Sequence, residues 1–296
     1  MPENTVVCWD GSDAAEAALE WALRRPRDSG DTLQLLDVLD SSLFLGDTLA
    51  LERATDEEQD RLDNRADLIE EQHPGALSGH TLSVGVPLDE LTNRTTPDTL
   101  LVVGTRHREG PRVRYGWSLG ARLAASAAGP VAIVPTEAAD AARDRSGVVV
   151  GIDGSDIARL ALEFAANEAV VLGQPLTVVH CWQEPLADEP LVVPDEDFVD
   201  AQQSAHQELL DAEVSTIRKR HPELRIESRL LRSNPITGLR AQSEHASMIV
   251  VGSRRLTGWR RAWLGSVSHG LVLDLAAPIV VVGPETTVRR GDTLGL

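Results

Sequence analysis

Three groups of residues in the second half of the 296-residue chain have types and spacing suited to holding an anionic, hydroxyl-bearing ligand. The first is Asp153-Gly154-Ser155-Asp156, which follows an apolar run. Ser155 and Asp156 are explained by N-capping of a helix, because their side-chain oxygens satisfy free amides there. Asp153 stands before the glycine turn, at what would be a strand tip, and is the better candidate for binding. The second group is Gly252-Ser253-Arg254-Arg255-Leu256-Thr257-Gly258, again after an apolar run. Glycine permits close backbone approach or a positive φ, while each arginine taken alone reads as a solvated surface charge. The third is Gly265-Ser266-Val267-Ser268 at the start of a helical pattern. Amides at a helix start and two hydroxyls suit a phosphate, with a serine N-cap as the simpler reading.

Lys219 is the only lysine, and it lies in a polar, helical stretch. That excludes a Gly-Lys-Ser/Thr phosphate loop and disfavours Schiff-base chemistry. Any phosphate must therefore be held by backbone amides, hydroxyls or arginine. His73 and His80 flank Pro74-Gly75, and His107 is distant with no cysteine or carboxylate at ligand spacing, so no metal site is expected. Cys8 and Cys181 sit in apolar runs rather than a Cys-x-x-Cys pair and read as buried core thiols.

The elements that would position these groups occur twice. VVCWDGSDAAEAALEWAL at 6–23 aligns with VVGIDGSDIARLALEFAA at 149–166, LLVVGTR at 100–106 with MIVVGSR at 248–254, and GPVAIVP at 129–135 with APIVVVG at 277–283. The extra residues of the second copy fall in the Pro- and Asp-rich stretch 184–200. The charged, apolar-poor segment 136–146 is the natural linker. Two domains are expected, 1–140 and 144–284, followed by a solvated tail at 285–296.

In the second copy, β-branched runs at 147–152, 176–180, 226–231, 248–251 and 279–282 predict strands. Helical apolar spacing covers 156–172, 198–220, 234–245 and 266–275, and the first copy follows the same scheme. Strand–helix alternation predicts an α/β fold: two tandem open, mainly parallel sheets with helices on both faces. Ligands of such sheets bind at the carboxyl ends of the strands, where strand order reverses. All three groups fall there.

The formal net charge of −18 argues against nucleic acid and anionic membranes as partners. No run of about 18 apolar residues occurs, and Met1-Pro2-Glu3-Asn4 lacks the basic and apolar regions of a signal peptide, so a cytoplasmic address is expected.

Taken in order, Asp153-Gly154-Ser155, Val178-Val179-His180-Cys181, Ile249-Val250-Val251-Gly252-Ser253-Arg254, Gly265-Ser266-Val267-Ser268 and Ala277-Pro278-Ile279-Val280-Val281-Val282 resemble a universal stress protein domain, and the repeat extends the likeness over nearly the whole chain as a tandem pair. ATP-binding members of that family carry Gly, two residues, Gly, nine residues, then Gly-Ser or Gly-Thr. Gly252 and Gly265-Ser266 match the ends of this pattern, and Arg255 replaces its middle glycine. The resemblance implies ATP as ligand, with or without Mg²⁺. It places Asp153 at the adenosine end, Cys181 against the adenine through its backbone, Gly252 near the ribose, and Gly265, Ser266 and Ser268 at the phosphates. Arg254 and Arg255 would screen phosphate charge, and Gly151 and Val267 complete the candidate set. In the first copy Asp10 and Gly104 are retained, but His107 and Trp117 replace the later glycines ahead of Ser118, so that half reads as degenerate.

The resemblance also implies that the apolar runs 131–134 and 279–282 meet across a pseudo-two-fold axis, making one chain a pseudo-dimer able to form a homodimer. The leading expectation is a stress-response or regulatory module that binds an adenine nucleotide in its C-terminal half. A nucleotide-free scaffold and a slow ATPase are the alternatives. Hydrolysis would need a positioned base and bound Mg²⁺, and beyond Asp153 no convergent base or ligand is legible.

Overall fold

A computed structural model describes residue 2 and residues 4–26, 31–106, 118–137, 145–184, 196–254, 264–273, 275 and 277–288. The first half contains β1 (Asn4–Cys8), α1 (Asp13–Arg24), β2 (Thr32–Asp40), a 3-10 turn (Ser41–Phe44), α2 (Thr48–Gln72), β3 (Gly79–Gly85), α3 (Pro87–Asn93), β4 (Thr99–Thr105), α4 (Leu119–Ser126) and β5 (Val131–Pro135). The second contains β6 (Val148–Ile152), α5 (Asp156–Leu172), β7 (Leu176–Trp182), α6 (Glu196–Arg220), β8 (Ile226–Arg232), α7 (Pro235–Ser243), β9 (Met248–Gly252), α8 (Ser266–Val272) and β10 (Ile279–Val282).

Local chemistry accounts for the element ends nearest the site. Ser12 and Ser155 cap α1 and α5, their hydroxyls accepting from the amides of Ala15 and Ala158. Gly11 and Gly154 take φ of +73° and +79°, the left-handed turn that releases each chain from strand to helix. Gly173 closes α5 at φ +61°. Pro87 and Pro235 open α3 and α7, where a missing amide hydrogen costs nothing.

Among the described residues the strands form one ten-stranded sheet in the order β3-β2-β1-β4-β5-β10-β9-β6-β7-β8. Within each half all neighbours are parallel. The two expected sheets are thus joined edge to edge by the antiparallel pair β5–β10. Strand order reverses at β1/β4 and again at β6/β9, opening a crevice at the carboxyl edge of each half. One apolar core lies under α1, α2, α5 and α6 and the other under α3, α4, α7 and α8; each draws residues from both halves.

Several expectations are corrected. The strand expected at 176–180 runs on to Trp182, because Cys181 and Trp182 continue the ladder opposite Leu231 and Arg232. The last two helices are shorter than their apolar spacing indicates, ending at Ser243 and Val272. The tail is not solvated from its start: Thr286 is buried, and the Thr287 amide donates to the Pro97 carbonyl of the other half at 2.8 Å. Both cysteines are free but half-buried rather than buried, each packed against the core beneath α3, α4, α7 and α8. Most of the expected linker, 138–144, lies outside the described residues.

Candidate functional site

The β6/β9 crevice holds a cavity of about 360 Å³. Gly151 and Asp153 come from the end of β6, Cys181 from β7, Gly252 and Arg254 from β9 and the residues after it, and Gly265, Ser266, Val267 and Ser268 from the start of α8. All nine line this one space. Arg255, the tenth candidate, and Gly258 lie outside the described residues.

Asp153 is held in place from two sides. Its Oδ1 accepts from the amide and hydroxyl of Ser155, and its Oδ2 lies 3.3 Å from the Arg254 guanidinium. Burial alone would raise its pKa, but the Ser155 hydrogen bonds and the Arg254 charge outweigh it and hold the carboxyl below the ordinary carboxylate value. The group is therefore an anion and a hydrogen-bond acceptor at neutral pH, and a weak base. Cys181 is shifted the other way: burial raises its thiol and the nearby Ser233 hydroxyl only partly offsets this, so the side chain is a neutral, apolar wall.

The glycines have different causes. A Cβ on Gly252 would come within 2.7 Å of the Ile157 carbonyl oxygen, and one on Gly104 would strike the Ala14 carbonyl. These equivalent residues are glycine because the first turn of α5, or of α1, packs directly on the strand. That packing requires glycine at both positions by itself, whether or not a ligand approaches. Gly265 differs, since its nearest neighbour to an added Cβ would be Ser268 Oγ at 3.6 Å, an ordinary contact. Its φ of −59° does not require glycine either. Gly265 is also the N-cap of α8, in place of the serine cap read from sequence. Ser266 is exposed, whereas Ser268 is buried and donates its hydroxyl proton to the Gly265 carbonyl at 3.0 Å. Ser268 thus shapes the turn, and Ser266 is the hydroxyl open to a ligand.

Sequence reasoning missed the supporting residues. Ser253 is buried, and its hydroxyl accepts from the Gly265 amide at 3.3 Å, tying the end of β9 to the start of α8. Ile157, Ala158, Val179, Pro235, Leu239 and Val251 supply apolar walls. Asn234-Pro235 is a legible helix start, with the Asn234 side chain accepting from the Ile236 amide. No sequence period tells that this helix closes the crevice. His180, quoted above only as part of the strand motif, lies beyond the cavity lining. Its Nδ1 is 2.9 Å from the Ile152 carbonyl, and its Nε2 is 2.8 Å from Nδ1 of His206, whose pKa is lowered by burial and by His180.

The β1/β4 crevice is smaller, about 150 Å³, and is lined by Cys8, Asp10, Asp37 and Gly104 among others. Asp37 is buried, and its Oδ2 has no hydrogen-bond partner. Burial raises its pKa from 3.8 to about 6, against a Val38 amide bond and the Arg61 charge, with Asp10 adding to the rise. A buried carboxyl in this lining disfavours a polyanion. Ser118 caps α4, while His107 and Trp117 lie outside the described residues. His80 pairs with Asp63 at 2.9 Å and His73 ends α2. Among the described residues, no cluster of three or more His, Cys, Asp or Glu side chains is arranged to hold a metal ion, and no helix is long and apolar enough to cross a membrane.

The same two-part organisation emerges from comparison with known proteins. The model of the universal stress protein family matches residues 1–135 and again 146–283. A universal stress protein of Mycobacterium tuberculosis (strain CDC 1551) is 27% identical over 299 residues, covering 93% of each chain. One from Mycolicibacterium smegmatis is 27% identical over 286 residues, covering 93% of this chain and 95% of that one. The crystal structure of a universal stress protein from Archaeoglobus fulgidus superposes with a TM-score of 0.65 at 17% identity, covering 96% of this chain and 99% of that one, a likeness of fold. With both halves matched in full and the strand order repeated around one antiparallel seam, the chain belongs to the universal stress protein family as a tandem of two such domains.

Proposed function

We propose that the C-terminal half binds an adenine nucleotide such as ATP, with or without Mg²⁺, and that the chain works in the cytoplasm as a stress-response or regulatory module. The two units are taken as 1–140 and 144–284. The observation that carries this reading is Gly265, the one glycine of the motif that no intramolecular contact explains and that leaves the start of α8 bare toward the cavity. A cavity of about 360 Å³ falls in the range of small-ligand sites.

The lining is graded in a way that suits such a ligand. Val179, Cys181, Pro235 and Leu239 offer an apolar surface to a base, and the Asp153 carboxylate accepts from hydroxyls of a sugar. The Ser266 backbone amide and hydroxyl and the Arg254 guanidinium are donors for phosphate oxygens, the Gly265 amide being taken by Ser253. Mg²⁺, when bound with the nucleotide, would neutralise phosphate charge. Asp153 is engaged by Ser155 and Arg254 and is a weak base, which favours holding a nucleotide over hydrolysing it. The N-terminal half serves as a structural partner.

Calorimetric titration of the intact protein with ATP is expected to give a saturable isotherm with one site per chain. Gly265→Val should weaken it by about tenfold or more, since a side chain there displaces the phosphate. The absence of saturable heat at millimolar ATP would overturn the assignment.

A further inference from the structure

The repeat that aligns Asp10 with Asp153 also aligns Arg25 with Glu168, and these two side chains meet. Arg25, at the end of α1, places Nη2 2.6 Å from both carboxylate oxygens of Glu168 in α5, with Nε 3.2 Å from one of them. Both are buried, with 8% and 2% of side-chain area exposed. The pair is separated by 143 residues, the offset of the repeat itself. A position that touches its own equivalent lies on the axis relating the two halves. The seam marks the same axis independently. Val280 stands opposite Ala132, its equivalent, while Ile279 faces Ile133 and Val281 faces Val131 in mirror order.

The seam strands cannot choose a partner. Val131, Ala132 and Ile133 are as apolar and as buried as Ile279, Val280 and Val281, so a first half could pair with the first half of another chain, and a second half likewise. At the helix position the three pairings differ. Two first halves would bury Arg25 against Arg25, and two second halves would bury Glu168 against Glu168. Only a first half against a second half brings opposite charges together, and a buried charge without its counter-ion is strongly disfavoured.

We propose that Arg25–Glu168 is the specificity determinant of the interface: it makes each half accept its complement and reject a second copy of itself, and the covalent link then supplies that complement within the chain. Such a pair adds little stability over an apolar pair of similar size. Its contribution is discrimination, and that separates it from a merely structural bridge.

The test refolds intact chains from urea and reads the urea midpoint together with the size distribution by native mass spectrometry. Arg25→Glu and Glu168→Arg should each lower the midpoint by about 1 M. The double reversal should regain it, with the assembly size of the unmodified protein. Arg25→Leu with Glu168→Leu should keep the midpoint yet raise the fraction of assemblies larger than those of the unmodified protein about threefold or more, since homotypic pairing is no longer penalised. Arg25→Gln with Glu168→Gln gives a second neutral pair should the leucine pair not fold. A neutral pair that refolds to the unmodified size distribution, or single reversals that leave the midpoint unchanged, would overturn the proposal.

Discussion

Gly252 and Gly265 look alike in a sequence motif, yet they are glycine for different physical reasons, and alanine separates them. At Gly252 the new Cβ would lie 2.7 Å from a carbonyl oxygen in the first turn of α5, so strand and helix must part. Gly252→Ala is expected to lower stability by about 1–3 kcal/mol, measured by urea unfolding. Gly265→Ala meets only Ser268 Oγ at 3.6 Å and should cost less than about 1 kcal/mol, the scale of a changed N-cap. If both cost the same, the packing account of Gly252 fails. Asp37 gives a second residue-level prediction with a definite sign. Its carboxyl titrates near 6 in the folded chain, raised from 3.8 chiefly by burial. Below about pH 4 both states are protonated, whereas between about 4 and 6 only the unfolded chain releases the proton, so stability falls as pH rises and the loss is complete above about pH 6. Asp37→Asn removes that slope. It should raise stability by about 2 kcal/mol at pH 7.5 while leaving it nearly unchanged at pH 4. Equal urea midpoints for the two proteins at pH 7.5 would refute it.

The serine caps of α1 and α5 form the same bond to the amide three residues on, but only Ser155 also donates its hydroxyl to the neighbouring carboxylate. Ser12→Ala and Ser155→Ala should each cost about 1 kcal/mol, and only the second should weaken ATP in calorimetry, because Asp153 then loses one of its anchors. A Ser12→Ala variant that alters nucleotide affinity as much would show that the effect travels through general stability. These caps were legible because their chemistry is local: Asp-Gly-Ser-Asp states the turn, the cap and the acidic first turn within four residues. The β-branched runs state the strands equally well, and Gly252 and Gly265, picked out by their spacing, both line the one cavity. What could not be read depends on which surface faces which. That α7 lies across the crevice, that α5 leaves no room for a Cβ at Gly252, and that Ser268 is turned inward onto Gly265 are all consequences of tertiary packing. The ladder beyond His180 was missed for the same reason, since Trp182 continues β7 only because β8 is there to pair with it.

For the molecule as a whole, the decisive feature is that neither core stops at the seam. Val7, Leu35 and Val102 of the first half share one buried cluster with Phe164, Val150 and Val280 of the second, and Ile133 and Ile279 belong together to the other. Three more ties cross the boundary: the β5–β10 ladder, the Arg25–Glu168 pair, and the Thr287 amide on the Pro97 carbonyl. Opening one half would expose apolar surface of its neighbour and strip an inner strand of its hydrogen-bond partner, so the halves should unfold as one cooperative unit. Phe164→Ala tests this. Phe164 is fully buried in α5, and its truncation should cost about 3–5 kcal/mol. Under coupled unfolding, hydrogen exchange should quicken in β4 and β5 as much as in β9 and β10, although the substituted residue lies in the other half. Exchange that accelerates only after residue 146 would mean that the seam is a contact between independent domains, and a nucleotide bound at Gly265 would then have no thermodynamic route to the first half.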